Sequence, residues 1–246
     1  MTQDLILNPS EVMEEFVKIV RDPNPIHRYL EAAEEAGHKK LVIPGTLISA
    51  YFERFMLSEG IEYTQNSLMT FNSFAYKGDS LVLKKNPGKK DGLELICLNQ
   101  DGKVLSMFRE RSDKLKDPEK ANCRGSFNFR ITEELVKVYC NLSGIDVTDI
   151  LEKRQTPFSI FTSTVPSAIL QFMFRESGVY EGIYKKLNFD FRRPPKIEDL
   201  RVDLYLTNHK GNSEKGFVYS LWADCFQKHG LVLSSKATIW SKVDIT

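Results

Sequence analysis

The sequence predicts an α+β protein in which one module of about 120 residues is built twice. Two observations carry this. An order of amphipathic helix, strongly apolar helix and several short β-rich runs occurs in each half. Late in each half the same decapeptide pattern returns: CLNQDGKVLS (97–106) reappears as CFQKHGLVLS (225–234), 128 positions on. Duplication explains both more economically than two unrelated halves that share turn chemistry.

Taken in order, NPSEVMEEFVKIV (8–20) reads as a helix with Asn8 as N-cap, Pro9 at N1 and Glu11 at N3. RDPNPIH (21–27) follows, and HRYLEAAEEAGHKK continues as a short helix ending at Gly37. Pro44 and Gly45 precede TLISAYFERFMLSEG, which is apolar on most sides and reads as a buried helix. SLMTFNSFAY, SLVLKK, LELICLN and KVLSMFRER are strand-like, with turns at 77–79, 86–92 and 100–102. The stretch 112–126 is polar, and we divide the chain into a first module (1–115), a linker (116–128) and a second module (129–246). The second module repeats the pattern with helices at 131–145 and 165–178, then strands around a turn.

Bulk properties narrow the function. Lys+Arg 34 against Asp+Glu 33 gives a net charge of +1, which argues against nucleic acid or an anionic membrane as partner. No apolar run approaches the roughly 20 residues that span a bilayer, and MTQDLILNPSEV is not a basic-then-apolar leader. Four scattered cysteines, with no metal-ligand spacing, read as reduced thiols of a cytoplasmic protein.

RDPNPIH has two readings. Asn24 as N-cap and Pro25 at N1 suffice to start a helix. The same geometry places His27 in a first helical turn, with Asp22 in the extended segment before it and two prolines fixing their separation. A neutral imidazole beside a carboxylate is a unit that binds one water and moves protons. The positive end of a helix dipole would favour that neutral form.

VRDPNPIHRYLEAAEEAGHKKLVIPGTLISAYF resembles the hydratase motif of the MaoC-like, (R)-specific enoyl-CoA hydratases, through Asp22, Asn24, Pro25, Ile26, His27, Ala33 and Gly45; YKGDSLVL (76–83) resembles that family's following strand. The resemblance implies a double hotdog: two antiparallel sheets, each wrapped around a long central helix. It implies Asp22 and His27 as the catalytic pair that activates water, the Gly45 amide as oxyanion donor, and Asn24 and Pro25 as supports of the turn. The reaction implied is hydration of an enoyl thioester or dehydration of a (3R)-hydroxyacyl thioester. The partner is an acyl-CoA or acyl carrier protein thioester, a homodimer is possible, and no metal or other cofactor is needed. Lys39, Lys40 and Lys77 are candidates for the carrier's phosphates. Arg21, Tyr29 and Pro44 depart from the family pattern; Arg21 either pairs with Asp22 or points to solvent.

Aligned at an offset of 123, the second module puts Ile145 and Ile150 opposite Asp22 and His27, so it lacks the acid and base. Its Phe158, Phe161, Phe172, Met173 and Phe174 are candidates for an acyl tunnel. Two other functions compete: a thioesterase using Glu53 on the first buried helix, and an acyl-thioester-binding protein without turnover.

Overall fold

The computed structural model describes residues 4–62, 65–86, 92–116, 123–178, 182–212 and 216–242. The first half contributes strands β1 (Leu5–Leu7), β2 (Asn66–Phe71), β3 (Leu81–Lys85), β4 (Glu94–Asn99) and β5 (Val104–Glu110). The second contributes β6 (Gly125–Phe129), β7 (Ile183–Phe191), β8 (Leu200–Asn212), β9 (Gly216–Gln227) and β10 (Gly230–Ser241). They form one antiparallel sheet in the order β1-β3-β4-β5-β2-β7-β10-β9-β8-β6. The two halves meet at β2 and β7, from Asn66 opposite Asp190 to Thr70 opposite Lys186. The two expected sheets are thus joined edge to edge, a junction that removes one unpaired edge from each half.

The echoed decapeptides form equivalent hairpins, β4–β5 and β9–β10, and each carries one register shift beside its turn. Strands β1 and β6 were not foreseen. Three and five residues long, they lack a run on which alternation can show, and β6 begins inside the stretch read as linker. Residues 117–122 of that linker and 87–91 of the turn at 86–92 lie outside the described residues.

The helices are α1 (Met13–Ile19), α2 (Leu30–Glu35), α3 (Gly45–Ser58), α4 (Glu133–Ser143), α5 (Thr148–Glu152) and α6 (Phe158–Ser177). The long α6 begins before the expected 165, because Ser159, Thr162, Ser163 and Thr164 weaken the apolar signal without weakening the helix. Wrapped by the sheet and pressed on each other, α3 buries ten of its fourteen residues and α6 fourteen of its twenty. Small residues let the pair approach: Ser49 and Thr162 share a hydrogen bond of 2.8 Å where the helices cross. Around them Phe52, Phe55, Phe161 and Phe172 are almost fully buried, each worth about 1.5–3 kcal/mol against exposure.

The first helix starts differently from expectation. Pro9–Glu11 is a 3-10 turn ahead of α1, and the Asn8 side chain makes no cap bond. Its Oδ1 instead accepts a hydrogen bond from the Ser80 hydroxyl at 3.3 Å. All four cysteines are unpaired, with Cys123 exposed and the others buried.

Candidate active site

After α1 the chain reverses through Arg21, whose φ of +53° is left-handed. The Asp22 amide closes the helix on the Val17 carbonyl at 3.1 Å. Asp22 Oδ1 then accepts from the Asn24 amide at 2.9 Å, and Asn24 Oδ1 accepts from the Ile26 amide at 3.3 Å. Arg28 donates to the Asp22 carbonyl at 2.7 Å. These bonds fix the turn from both ends. Pro25–His27 is one 3-10 turn and α2 starts separately after Tyr29, so the single helix expected from 27 to 37 is broken in two. Three residues of 3-10 geometry sum too few peptide dipoles to act on His27, and the dipole argument fails.

A hydrogen bond sets the imidazole instead. His27 Nδ1 donates to the Val42 carbonyl at 2.7 Å, and because a carbonyl only accepts, Nδ1 carries the proton of the neutral ring. Val42 is itself held by a bond from its amide to the Ile26 carbonyl. Nε2 is left facing Asp22 Oδ2 at 3.6 Å. That is too long for a good direct hydrogen bond and short enough for one water to bond both atoms at about 2.8 Å. Both residues are buried, at 4% and 7% exposure. Arg21 is exposed and forms no ion pair with Asp22 among the described residues.

Asp22, Asn24 and His27 line a cavity of about 120 Å³ that also receives Gly45 and Thr46 at the start of α3. Gly45 is required by contact: a Cβ there would stand 2.5 Å from the Phe71 ring. The far wall comes from the second half, through Pro166 and Leu170 of α6, Gly182, and Ile183, Tyr184, Lys185 and Leu187 of β7. Tyr184, missed in the sequence, donates its hydroxyl to the Pro166 carbonyl at 2.7 Å. Burial, and then the Asp22 charge, push its phenol well above the ordinary value. Pro25 is at N1 of the 3-10 turn rather than in the wall. Lys39, Lys40 and Lys77 are exposed and outside the lining, whereas Lys185 is in it.

Four of the five residues expected in an acyl tunnel do not line one. Phe161, Phe172 and Met173 are core residues, and Phe174 is 40% exposed. Glu53 does not line the cavity of Asp22 and His27. It is buried at 3% exposure, and its two carboxyl oxygens accept from the Phe158 and Ser159 amides at 2.9 and 2.8 Å, at the start of α6. Burial raises its carboxyl above the ordinary range, against the lowering effect of those bonds. His38 is half-buried edge-on against Phe74, and burial followed by the nearby His27 lowers its pKa.

No protein-family model matches the sequence, nor does any curated protein. Solved structures do match the fold. One is a MaoC domain protein dehydratase from Chloroflexus aurantiacus, 10% identical, at a TM-score of 0.69 over 98% of this chain and 95% of its own. A second is a conserved hypothetical protein of Mycobacterium tuberculosis with a double hotdog fold, 9% identical, at 0.65 over 98% and 96%. The fold is a double hotdog. More distant is a 12:0-ACP thioesterase from Umbellularia californica, 9% identical, at 0.53 over 80% and 87%. A second cleft is lined by Glu53, Ile150, Phe158 and Phe191, and by the offset of 123 Ile150 is the counterpart of His27. No helix among the described residues is long and apolar enough to cross a membrane.

Proposed function

We propose that this double hotdog is a hydro-lyase of acyl thioesters, adding water to a trans-2-enoyl thioester or removing it from a (3R)-hydroxyacyl thioester. The observation that carries the reading is the convergence of the buried Asp22 Oδ2 and His27 Nε2, 3.6 Å apart, in a cavity that also receives the start of α3. A water held by both atoms attacks C3. Its proton passes to the pair, and a proton from the pair goes to C2 on the same face. Negative charge gathers meanwhile on the thioester oxygen, where the Gly45 amide stabilises it. Asn24 and Pro25 hold the turn. No metal or other cofactor enters these steps. We place the reaction in the cytoplasm, on acyl groups carried by CoA or by an acyl carrier protein.

The thioesterase reading loses its carboxyl group, since Glu53 is committed to the two amides of α6. The test is hydration of short and medium enoyl-CoA thioesters by wild type, Asp22→Asn and His27→Ala. Turnover by wild type alone supports the assignment. Absence of turnover on every chain length and carrier removes the hydro-lyase reading, and equal turnover in the variants removes the site.

A further inference from the structure

The two long helices start alike. Pro44 precedes α3 and Pro157 precedes α6, with near-equal φ and ψ of −58° and 130° against −50° and 135°. In each, the amide three residues on (Leu47, Ile160) bonds the proline carbonyl at 3.1 Å. Counted from these prolines, Gly45 and Thr46 correspond to Phe158 and Ser159. Ser49 corresponds to Thr162, its partner at the crossing. Glu53 corresponds to Pro166.

What the two starts bind is different. At α6, both leading amides hold the Glu53 carboxyl group, and the Ser159 side chain lies beside it. At α3, the amides of Gly45 and Thr46 meet no acceptor among the described residues. Thr46 is 7% exposed and lines the cavity, and its Oγ1 is buried with no hydrogen-bond partner. A buried hydroxyl left unpaired is unfavourable unless a ligand satisfies it. The facing residue is Pro166, whose side chain offers no acceptor.

We propose that Thr46 completes an oxyanion site at the start of α3, its hydroxyl joining the Gly45 and Thr46 amides on the thioester oxygen, and that Pro166 keeps this site open where Glu53 fills its twin. The chain then carries the same pair of leading amides twice: the second half shows it occupied by an oxygen pair of the protein itself, and the first presents it to substrate. The identity of the oxygen rests on the hydro-lyase reading; the donor set does not.

Two readouts separate these. One is hydration of crotonyl-CoA. The other is the enolate absorbance of acetoacetyl-CoA, which reports stabilised charge on a thioester-side oxygen without turnover. Thr46→Val, which keeps the shape and removes the hydroxyl, is expected to lower kcat by about 100-fold with little change in KM, because the charge it meets exists mainly in the transition state. It also lowers the enolate signal, and Thr46→Ser restores both. Pro166→Glu is expected to abolish both signals while raising Tm, by capping α3 as Glu53 caps α6. Pro166→Ala separates loss of the ring from gain of the carboxyl group and keeps the enolate signal. An enolate signal that needs Thr46, without any hydration, keeps this inference and removes the hydro-lyase reading. Thr46→Val within about twofold of wild type in both readouts overturns the inference, as does a wild type with neither signal or a Pro166→Glu variant that retains both.

Discussion

The turn after α1 and the turn after α4 are the same backbone built from different chemistry. Arg21 and Gly144 both have left-handed φ, +53° and +70°. Their amides bond Lys18 and Asn141 carbonyls at 3.3 Å each, and the next amides, of Asp22 and Ile145, bond Val17 and Cys140 carbonyls at 3.1 and 2.9 Å. Each of these pairs is related by the offset of 123 read from the sequence. Beyond this point they diverge. One continues into the Asn24-capped 3-10 turn that carries His27, the other into α5 with Ile150. The helix end therefore needs neither an acid nor a base. Burying Asp22 and His27 costs desolvation that two isoleucines avoid, and locally unfavourable choices of this kind concentrate where function requires them.

The strongest way to break the comparison is to make the first turn like the second. Asp22→Ile with His27→Ile should leave a folded protein and lower hydration by at least about 1,000-fold, near the upper range of acid–base contributions. A melting curve within a few degrees of wild type, beside lost turnover, supports the comparison. Collapse of the fold would show that the pair is needed for the turn, and retained turnover that it is not needed for chemistry.

Glu53 tests the other end of the comparison. Glu53→Gln leaves one acceptor oxygen for two amide donors and should cost roughly 1–3 kcal/mol, while turnover stays within a few-fold of wild type. A hundredfold loss of turnover at unchanged Tm would return Glu53 to the chemistry. The variant also has a pH signature. Burial raises the Glu53 carboxyl above 4.5 in the folded state, so the folded chain binds more protons there than the unfolded chain. Stability should fall as pH rises from 4.5 through the raised value, and Glu53→Gln should flatten that fall.

What was legible in the sequence was mostly local. Asp22, Asn24, Pro25 and His27 lie within six positions, so turn geometry alone brings them together, and Pro44-Gly45 marks a helix start by composition. The duplicated α+β organisation followed from a repeat that survives as paired hairpins, and the double hotdog from the family resemblance. The rest depends on topology. Tyr184 and Pro166 reach the cavity only because β7 lies beside β2 and α6 crosses α3. The binding of Glu53 to the start of α6 is not legible because its partners are 105 and 106 positions away. Thr46 had a local signal, a hydroxyl directly after a helix-starting Pro-Gly, but its unpaired state shows only once the cavity is seen.

Gly144 gives the next smaller effect. At φ +70° a Cβ is strained, and it would also stand 2.6 Å from the Arg54 guanidinium. Gly144→Ala should destabilise by about 1 kcal/mol or more, because alanine fits this backbone poorly. The Arg54 side chain has room to give only if its end is free to swing. A Tm equal to wild type would show that it swings freely and that the left-handed residue carries no strain.

The smallest effect belongs to Arg21, which occupies the left-handed position that its counterpart fills with glycine. A non-glycine residue held there costs on the order of 1 kcal/mol, against which glycine adds chain entropy to the unfolded state. The guanidinium is exposed and makes no ion pair with Asp22 among the described residues, so charge offsets little of that cost. Arg21→Gly should therefore be neutral to stabilising, by up to about 4 °C in Tm for a chain of this size, with kcat unchanged. If kcat falls while Tm holds, Arg21 acts on the substrate or its carrier at the cavity mouth, and the turn differs from its twin by one more chemical group than Asp22 and His27.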